Sequence, residues 1–249
     1  MGTSVIEASR LQELHRLRGE ISRMQRRRAE VPLLPLDPAL ADLLPDGGLR
    51  VGSAYSIEPS PSLLGALLAP PSQKGTWCAV IGMPTIGLEA MAGFGVDLRR
   101  LILVPAPGPR WLTVASALSE VTPLVAVRPQ TPLREPDAAR LSARLRDRGC
   151  TLLVTAPWPQ SEATLRLEEP EWHGLHDGWG LLEGRTVTVS ASSRRHAAPQ
   201  RVRVRLPGPA GTVAPAVRVP APIPLRPDLR REERSAGAEP GDRLRRAAG

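Results

Sequence analysis

Between residues 47 and 206 the chain repeats one pattern: a run of four or five apolar residues, then a helix-like stretch, then another apolar run. Ala54 to Ile57, Trp77 to Ile81, Leu101 to Val104, Leu124 to Val127 and Thr151 to Thr155 show no polar alternation. Strands of that kind are buried on both faces, and a sheet built from them needs helices on each side. The stretches between them supply helices: Leu63, Leu64, Leu67 and Leu68 fall at helical spacing, and Gly87 to Gly95, Trp111 to Leu118 and Asp137 to Asp147 read the same way. The pattern predicts an α/β fold, a mostly parallel sheet flanked by helices. Beyond residue 160 the period changes. Thr186 to Val189 and Arg201 to Arg205 alternate like antiparallel strands with one wet face, joined by a polar Ser/Arg loop, so a C-terminal antiparallel extension is expected.

The flanks have a different character. Over residues 7–29, Leu14, Leu17, Ile21 and Met24 recur at three- and four-residue spacing, which predicts an N-terminal amphipathic helix occupying 1–30 and ended by Pro32. Residues 31–46, with Pro32, Pro35, Pro38 and Pro45, read as an extended linker to the core at 47–206. From Pro207 to Gly249, Pro, Ala, Gly and Arg dominate, and a disordered tail is expected. The formal charge of +8 sits in these flanks. Residues 1–30 hold seven Arg against four Glu, 31–199 hold fifteen bases against sixteen acids, and 200–249 hold eleven Arg against five acids. Lys74 is the only lysine, and in a chain so rich in Ala, Pro and Gly the arginine content reads first as coding bias.

No stretch reaches the roughly 20 uncharged apolar residues that span a bilayer. The first 30 residues alternate charge with leucine and present no signal-peptide core. A cytoplasmic protein is the expectation, with Cys78 and Cys150, each inside an apolar run, as buried thiols and not a disulfide.

Several segments resemble the core of the RecA superfamily. Gly47 to Ile57 is similar to the entry into its first strand, which leads into the phosphate loop. A phosphate loop needs G-x-x-x-x-G-K-[ST], glycines for backbone approach, a lysine for charge and a hydroxyl for magnesium. Here Glu58, Pro59, Ser60, Pro61, Ser62, Leu63, Leu64 and Gly65 follow, and Lys74 lies beyond the next helix. Trp77 to Ile81, then Phe94, Gly95, Val96, Asp97 and Leu98, then Leu101 to Val104, resemble the run carrying the catalytic glutamate, with Pro84 in its place. Leu124 to Val127 resembles the strand before the magnesium-organising aspartate, where Arg128 stands, and Thr151 to Val154 the strand before a phosphate-sensing glutamine, where Pro157 and Trp158 stand. The resemblance implies a degenerate nucleotide site at Glu58, Pro59, Ser60, Pro61, Ser62, Pro84 and Arg128, no catalytic residue, no cofactor and no metal.

Within that superfamily the chain resembles the ImuA-prime type accessory protein of actinobacterial inducible-mutagenesis cassettes. That resemblance implies a non-catalytic adaptor in SOS-type, DNA-damage-induced translesion synthesis. Its partners would be a non-catalytic Y-family polymerase homologue and an error-prone replicative-type polymerase, with nucleoid association under damage and no membrane contact. Alternatives of other classes are a SulA-like inhibitor of cell division and a sequence-independent DNA binder acting through basic arms. Arg128 to Pro136 and Pro157 to Glu171 are the stretches left for the superfamily's mobile DNA-binding loops.

Candidate contacts to a partner or to DNA are Arg194, Arg195, Arg201, Arg203 and Arg205, a basic stripe, and Arg230, Arg231 and Arg234 in the tail, which is expected to order on a partner. Against phosphate contact stands the reading of the stripe as a solvated strand edge. His173 and His176 have half the spacing of a metal site, but no second pair completes it, and they read as loop residues. Trp158, Trp172 and Trp179 read as packing groups before base-stacking platforms. Ser190, Ser192, Ser193 and His196 lack a nucleophile turn and read as a solvated hairpin loop.

Overall fold

The structure, a computed structural model, describes residues 32–176 and 179–216. The helix expected over 7–29 and residues 217–249 of the expected tail lie outside the described residues.

The first ordered unit corrects the sequence reading. Residues 31–46 were expected as a linker, yet β1 (Leu33–Pro35) pairs antiparallel with β2 (Gly48–Arg50) across a 3-10 turn at Pro38–Leu43. The prolines do not oppose this. Pro35 closes a three-residue strand, and Pro38 opens the turn behind Asp37, whose carboxylate accepts from Ala39 N at 2.9 Å. Leu34, Leu36, Leu40, Leu43, Leu44 and Leu49 are all buried beneath it and join the main core. The elements are too short for periodicity to declare them.

The apolar runs form the strands expected of them. β3 (Ala54–Ile57), β4 (Cys78–Ile81), β5 (Leu101–Val104), β6 (Leu124–Val127), β7 (Thr151–Val154) and β8 (Ala163–His176) make a parallel array in the order β5-β4-β6-β7-β3-β8. Alternation sorts their side chains onto two faces. Tyr55, Val80, Leu124 and Leu153 face a cluster closed by α1 (Pro61–Gln73), α2 (Leu88–Gly93) and the unit at 33–50. Ala79, Val125, Leu152 and Val154 face the opposite cluster, closed by α3 (Trp111–Leu118) and α4 (Glu135–Arg148). The two helices of the first face cross closely, because a Cβ at Gly65 of α1 would stand 2.8 Å from the Phe94 ring that follows α2. Cys78 and Cys150 are unpaired and buried, and burial pushes both thiols up to about 12.

Three antiparallel strands complete the nine-stranded sheet: β9 (Trp179–Ser193), β10 (Gln200–Arg205) and β11 (Ala214–Pro215). Three readings change here. Residues 163–176, expected as loop, form β8, which starts parallel to β3 and then pairs with β9. His173 and His176 therefore lie in a strand, and His173 Nε2 is 2.6 Å from Thr186 Oγ1. Ser190, Ser192 and Ser193 lie in β9, not in a loop, with Ser190 buried and donating to Glu168 at 2.7 Å. Residues 207–216 of the expected tail are structured, since β11 pairs with β10 and Gly208 N donates to Thr212 O at 2.6 Å. Low apolar content hid this stretch, which is held by backbone bonds to the sheet edge and by Val213 packed against the main core.

Candidate functional site

Open α/β sheets take ligands at the carboxyl ends of their strands, in the crevice between the connections. Five connections meet there, and each contains proline. Glu58–Ser60 follows β3 and holds Pro59, and the segment after β4 holds Pro84. Pro105, Pro107 and Pro109 follow β5, Pro129 and Pro132 follow β6, and Pro157 and Pro159 follow β7.

The β3 connection is where the resemblance read from the sequence would put a phosphate loop, and its donors are engaged elsewhere. Glu58 N donates to Leu165 O at 2.9 Å, and Ser60 N donates to Glu58 O at 2.7 Å. Pro59 and Pro61 have no N–H. At the start of α1, Leu63 N is capped by Ser60 Oγ at 3.4 Å, and Leu64 N donates to Ser60 O at 3.0 Å. Over 58–64 this leaves Ser62 N as the donor with no partner among the described residues. Three residues between strand and helix are too few to wrap an anion, and the Glu58 carboxylate is turned to β8, where it accepts from Leu167 N at 2.8 Å. Arg185 of β9 donates to Ser62 Oγ at 2.6 Å and to Leu206 O at 3.2 Å and stacks on Trp172 at 5.5 Å, so hairpin side chains reach the helix start.

The neighbouring connections are pinned. Gly82, at φ 77°, follows β4 so closely to β6 that a Cβ would stand 2.5 Å from Arg128 O. Gln130 Nε2 donates to Gly82 O at 3.1 Å and Arg128 O at 3.0 Å. Trp111 Nε1 donates to Thr131 Oγ1 at 2.9 Å, and Trp158 is buried, its backbone N donating to Ser56 Oγ at 2.9 Å and its ring N–H to Ser142 Oγ at 3.2 Å. Between them lies a cavity of about 70 Å³ lined by Pro59, Pro61, Leu64, Met83, Ile86 and Arg128. The structure therefore brings Pro59, Ser60, Pro61 and Arg128 to one cavity and leaves Pro84 exposed at its margin. Sequence reasoning missed Met83, Ile86 and Thr155, whose hydroxyl is buried with no partner among the described residues. The apolar residue before Pro84 was the available signal.

Three arginines of the basic stripe are paired with acids, two of them with glutamates of β8 across the intervening β9. Arg201 Nε lies 3.2 Å from Glu168, and Arg203 lies 2.6 Å from Glu171 and 3.9 Å from Glu169. Arg195 is bound to Asp46 and lies 3.5 Å from Glu162, and its hydrogen bond holds the Asp46 carboxyl below the usual carboxylate range. Arg194 is exposed, and Arg205 is half-buried with its Nε lacking a partner among the described residues. Arg230, Arg231 and Arg234 lie outside the described residues. Of the tryptophans, Trp158 packs while Trp172 stays exposed; the Trp179 side chain is outside what is described. No group of three or more His, Cys, Asp and Glu among the described residues could hold a metal ion, and none of their helices is long and apolar enough to cross a membrane.

A crystal structure described as the RadB recombinase superposes with a TM-score of 0.52, covering 71% of this chain and 96% of that one at 16% identity. The fold is RecA-like. The family described as MT3502 N-terminal domain matches residues 42–160. That span starts inside the 3-10 turn and ends after β7, so it takes in the five connections. A Mycobacterium tuberculosis relative, the uncharacterized protein Rv3395c, is 38% identical over 120 residues, which are 46% of this chain and 57% of the relative. The match thus spans little more than half of that relative's length.

Proposed function

We propose that this chain is a non-catalytic RecA-like adaptor in a response to DNA damage, holding a non-catalytic Y-family polymerase homologue for translesion synthesis alongside an error-prone replicative-type polymerase. The observation that carries the non-catalytic part is the β3 connection, where two prolines, a Ser cap and internal bonds occupy the place of phosphate-binding donors. Arg128 at the end of β6 puts a cation where magnesium would need a carboxylate. The damage-response part rests on the RecA-like core and on the family resemblance read from the sequence.

The test has two arms. A ligand present at about 100 times its Kd stabilises a protein by about 2.7 kcal/mol, so nucleotide binding at millimolar ATP and magnesium would raise the melting temperature measurably. The expected shift is zero, and a rise of several degrees sinks the non-catalytic reading. In the second arm, the polymerase homologue is co-purified with full-length protein and with protein lacking residues 217–249, at low and high salt. Retention of the homologue on the full-length protein is expected. Salt-sensitive loss on truncation assigns the dock to the arginines of the tail, and no retention on either protein discards the adaptor reading.

A further inference from the structure

The crevice has a second property beyond its missing donors. Nine prolines occupy the five connections named above. Proline fixes φ and removes conformers from the free chain, so this rim is held in one shape before anything binds to it. The bonds from Trp111 to Thr131, from Trp158 to Ser56 and Ser142, and from Gln130 to Gly82 and Arg128 lock two of the connections to the sheet.

The exposed charge left unpaired on the five connections is positive. Arg110, Arg128 and Arg134 are exposed after β5 and β6, and none is in an ion pair among the described residues. The acid of the β3 connection, Glu58, is directed to Leu167 N, Glu162 at the end of the β7 connection is paired with Arg50 and Arg195, and Glu135 opens α4 beside Arg134, while the segments 82–87, 105–110, 128–134 and 155–160 contain no Asp or Glu. Among the connections are two apolar recesses, the first lined in part by Arg128. One is the cavity at Leu64, Met83 and Ile86, and the other is a groove at Pro132, Leu133 and Pro157.

We propose that this proline rim is a preorganised docking surface for an acidic segment of a partner protein, anchored by apolar side chains in the two recesses, with its carboxylates on Arg110, Arg128 and Arg134. This rests on the reading of the crevice as one that takes no nucleotide. The occupant is a peptide and not nucleic acid because the rim offers apolar recesses and few backbone donors, whereas a phosphate backbone is held by N–H donors and cations together. Rigidity of the rim lowers the ordering cost on this side of the interface, so a short segment suffices.

The test uses full-length protein and a random twelve-residue peptide phage library, counter-selected against the Arg110→Glu/Arg128→Glu/Arg134→Glu variant. The expected winners carry Leu, Met or an aromatic residue flanked by Asp or Glu. As free peptides they lose at least tenfold in affinity to Arg128→Glu and weaken as salt rises. Pro105→Gly/Pro107→Gly, which leaves the lining of both recesses and the three arginines in place, weakens them a few-fold. Melting temperatures within about a degree of the parent establish that the variants are folded. Winners without acids, or winners that bind the triple variant equally, overturn the proposal. So does oligo-dT binding that depends on the same three arginines, which assigns the surface to nucleic acid. Hydrogen exchange in residues 217–249 that rises in the triple variant with no peptide present also overturns it, by assigning the rim to the protein's own tail. A crevice that binds neither ATP nor peptides overturns this proposal alone, while ATP binding overturns the reading beneath it.

Discussion

The two halves of the nine-stranded sheet are stabilised in different ways. In β3, β4, β6 and β7 every residue is buried, and helices cover both faces. In β10 the pattern alternates, with Val204 buried while Arg201 and Arg203 are exposed and paired with acids of β8. The parallel half is held by apolar area removed from water, worth about 1.5–3 kcal/mol for each large side chain. The wet face of the antiparallel half is held by pairs worth about 0–1 kcal/mol each. The difference teaches that arginines in an alternating strand need not be a nucleic-acid surface, because a strand one removed in the same sheet can supply their counter-charges.

The largest expected effect is in the parallel half. Leu153→Ala, at a fully buried position of β7, should cost about 3 kcal/mol. Leu182→Ala, 56% exposed in β9, should stay within about 0.5 kcal/mol. Denaturant unfolding of both measures the contrast, and equal losses would break it. Next is Gly65→Ala in α1. Alanine favours a helix by about 1 kcal/mol over glycine, yet the Phe94 ring within 2.8–3.0 Å of the new Cβ should turn that gain into a loss of about 1–3 kcal/mol. A stabilised variant would show that α1 and α2 can separate without penalty.

Two smaller effects probe the wet surface. Asp46 has its carboxyl held low by Arg195, with Arg50 3.7 Å away. The folded protein binds that proton less readily than the unfolded chain. The pair's contribution is therefore complete above the ordinary aspartate value near 3.8 and is lost as pH falls through the lower folded value. Asp46→Asn should remove that part of the acid dependence and cost under about 1 kcal/mol at neutral pH. An unchanged difference from the parent between neutral and acid pH would discard the pair as a contributor. Smallest is Arg203→Ala, expected to cost no more than about 0.5 kcal/mol and to match the parent at about 1 M salt, where charges are screened beyond roughly 3 Å. A loss that survives high salt would mean that its aliphatic stem, and not its charge, packs across β9.

The parallel half was legible because burial on both faces writes an unbroken apolar run, and Leu124 to Val127 became a strand at those residues. The unit at 33–50 was not, since its leucines occupy elements of three to six residues interrupted by prolines, shorter than any helical or strand period. β8 was hidden by its polar residues. Glu168, Glu169 and Glu171 look like loop until the arginines of β10, across β9, are known.

The sequence alone determined the strands and helices from β3 to β7 and the doubly covered sheet they form, because local pattern carries that information. Tertiary structure alone decided where the donors of the β3 connection go. It also decided which arginines are left without counter-charges, and that prolines from five separate connections share one rim. The reason is physical. Hydrogen bonds and ion pairs such as Glu58 with Leu167, or Arg195 with Asp46, join residues more than one hundred positions apart, and only closure of the sheet brings them within reach.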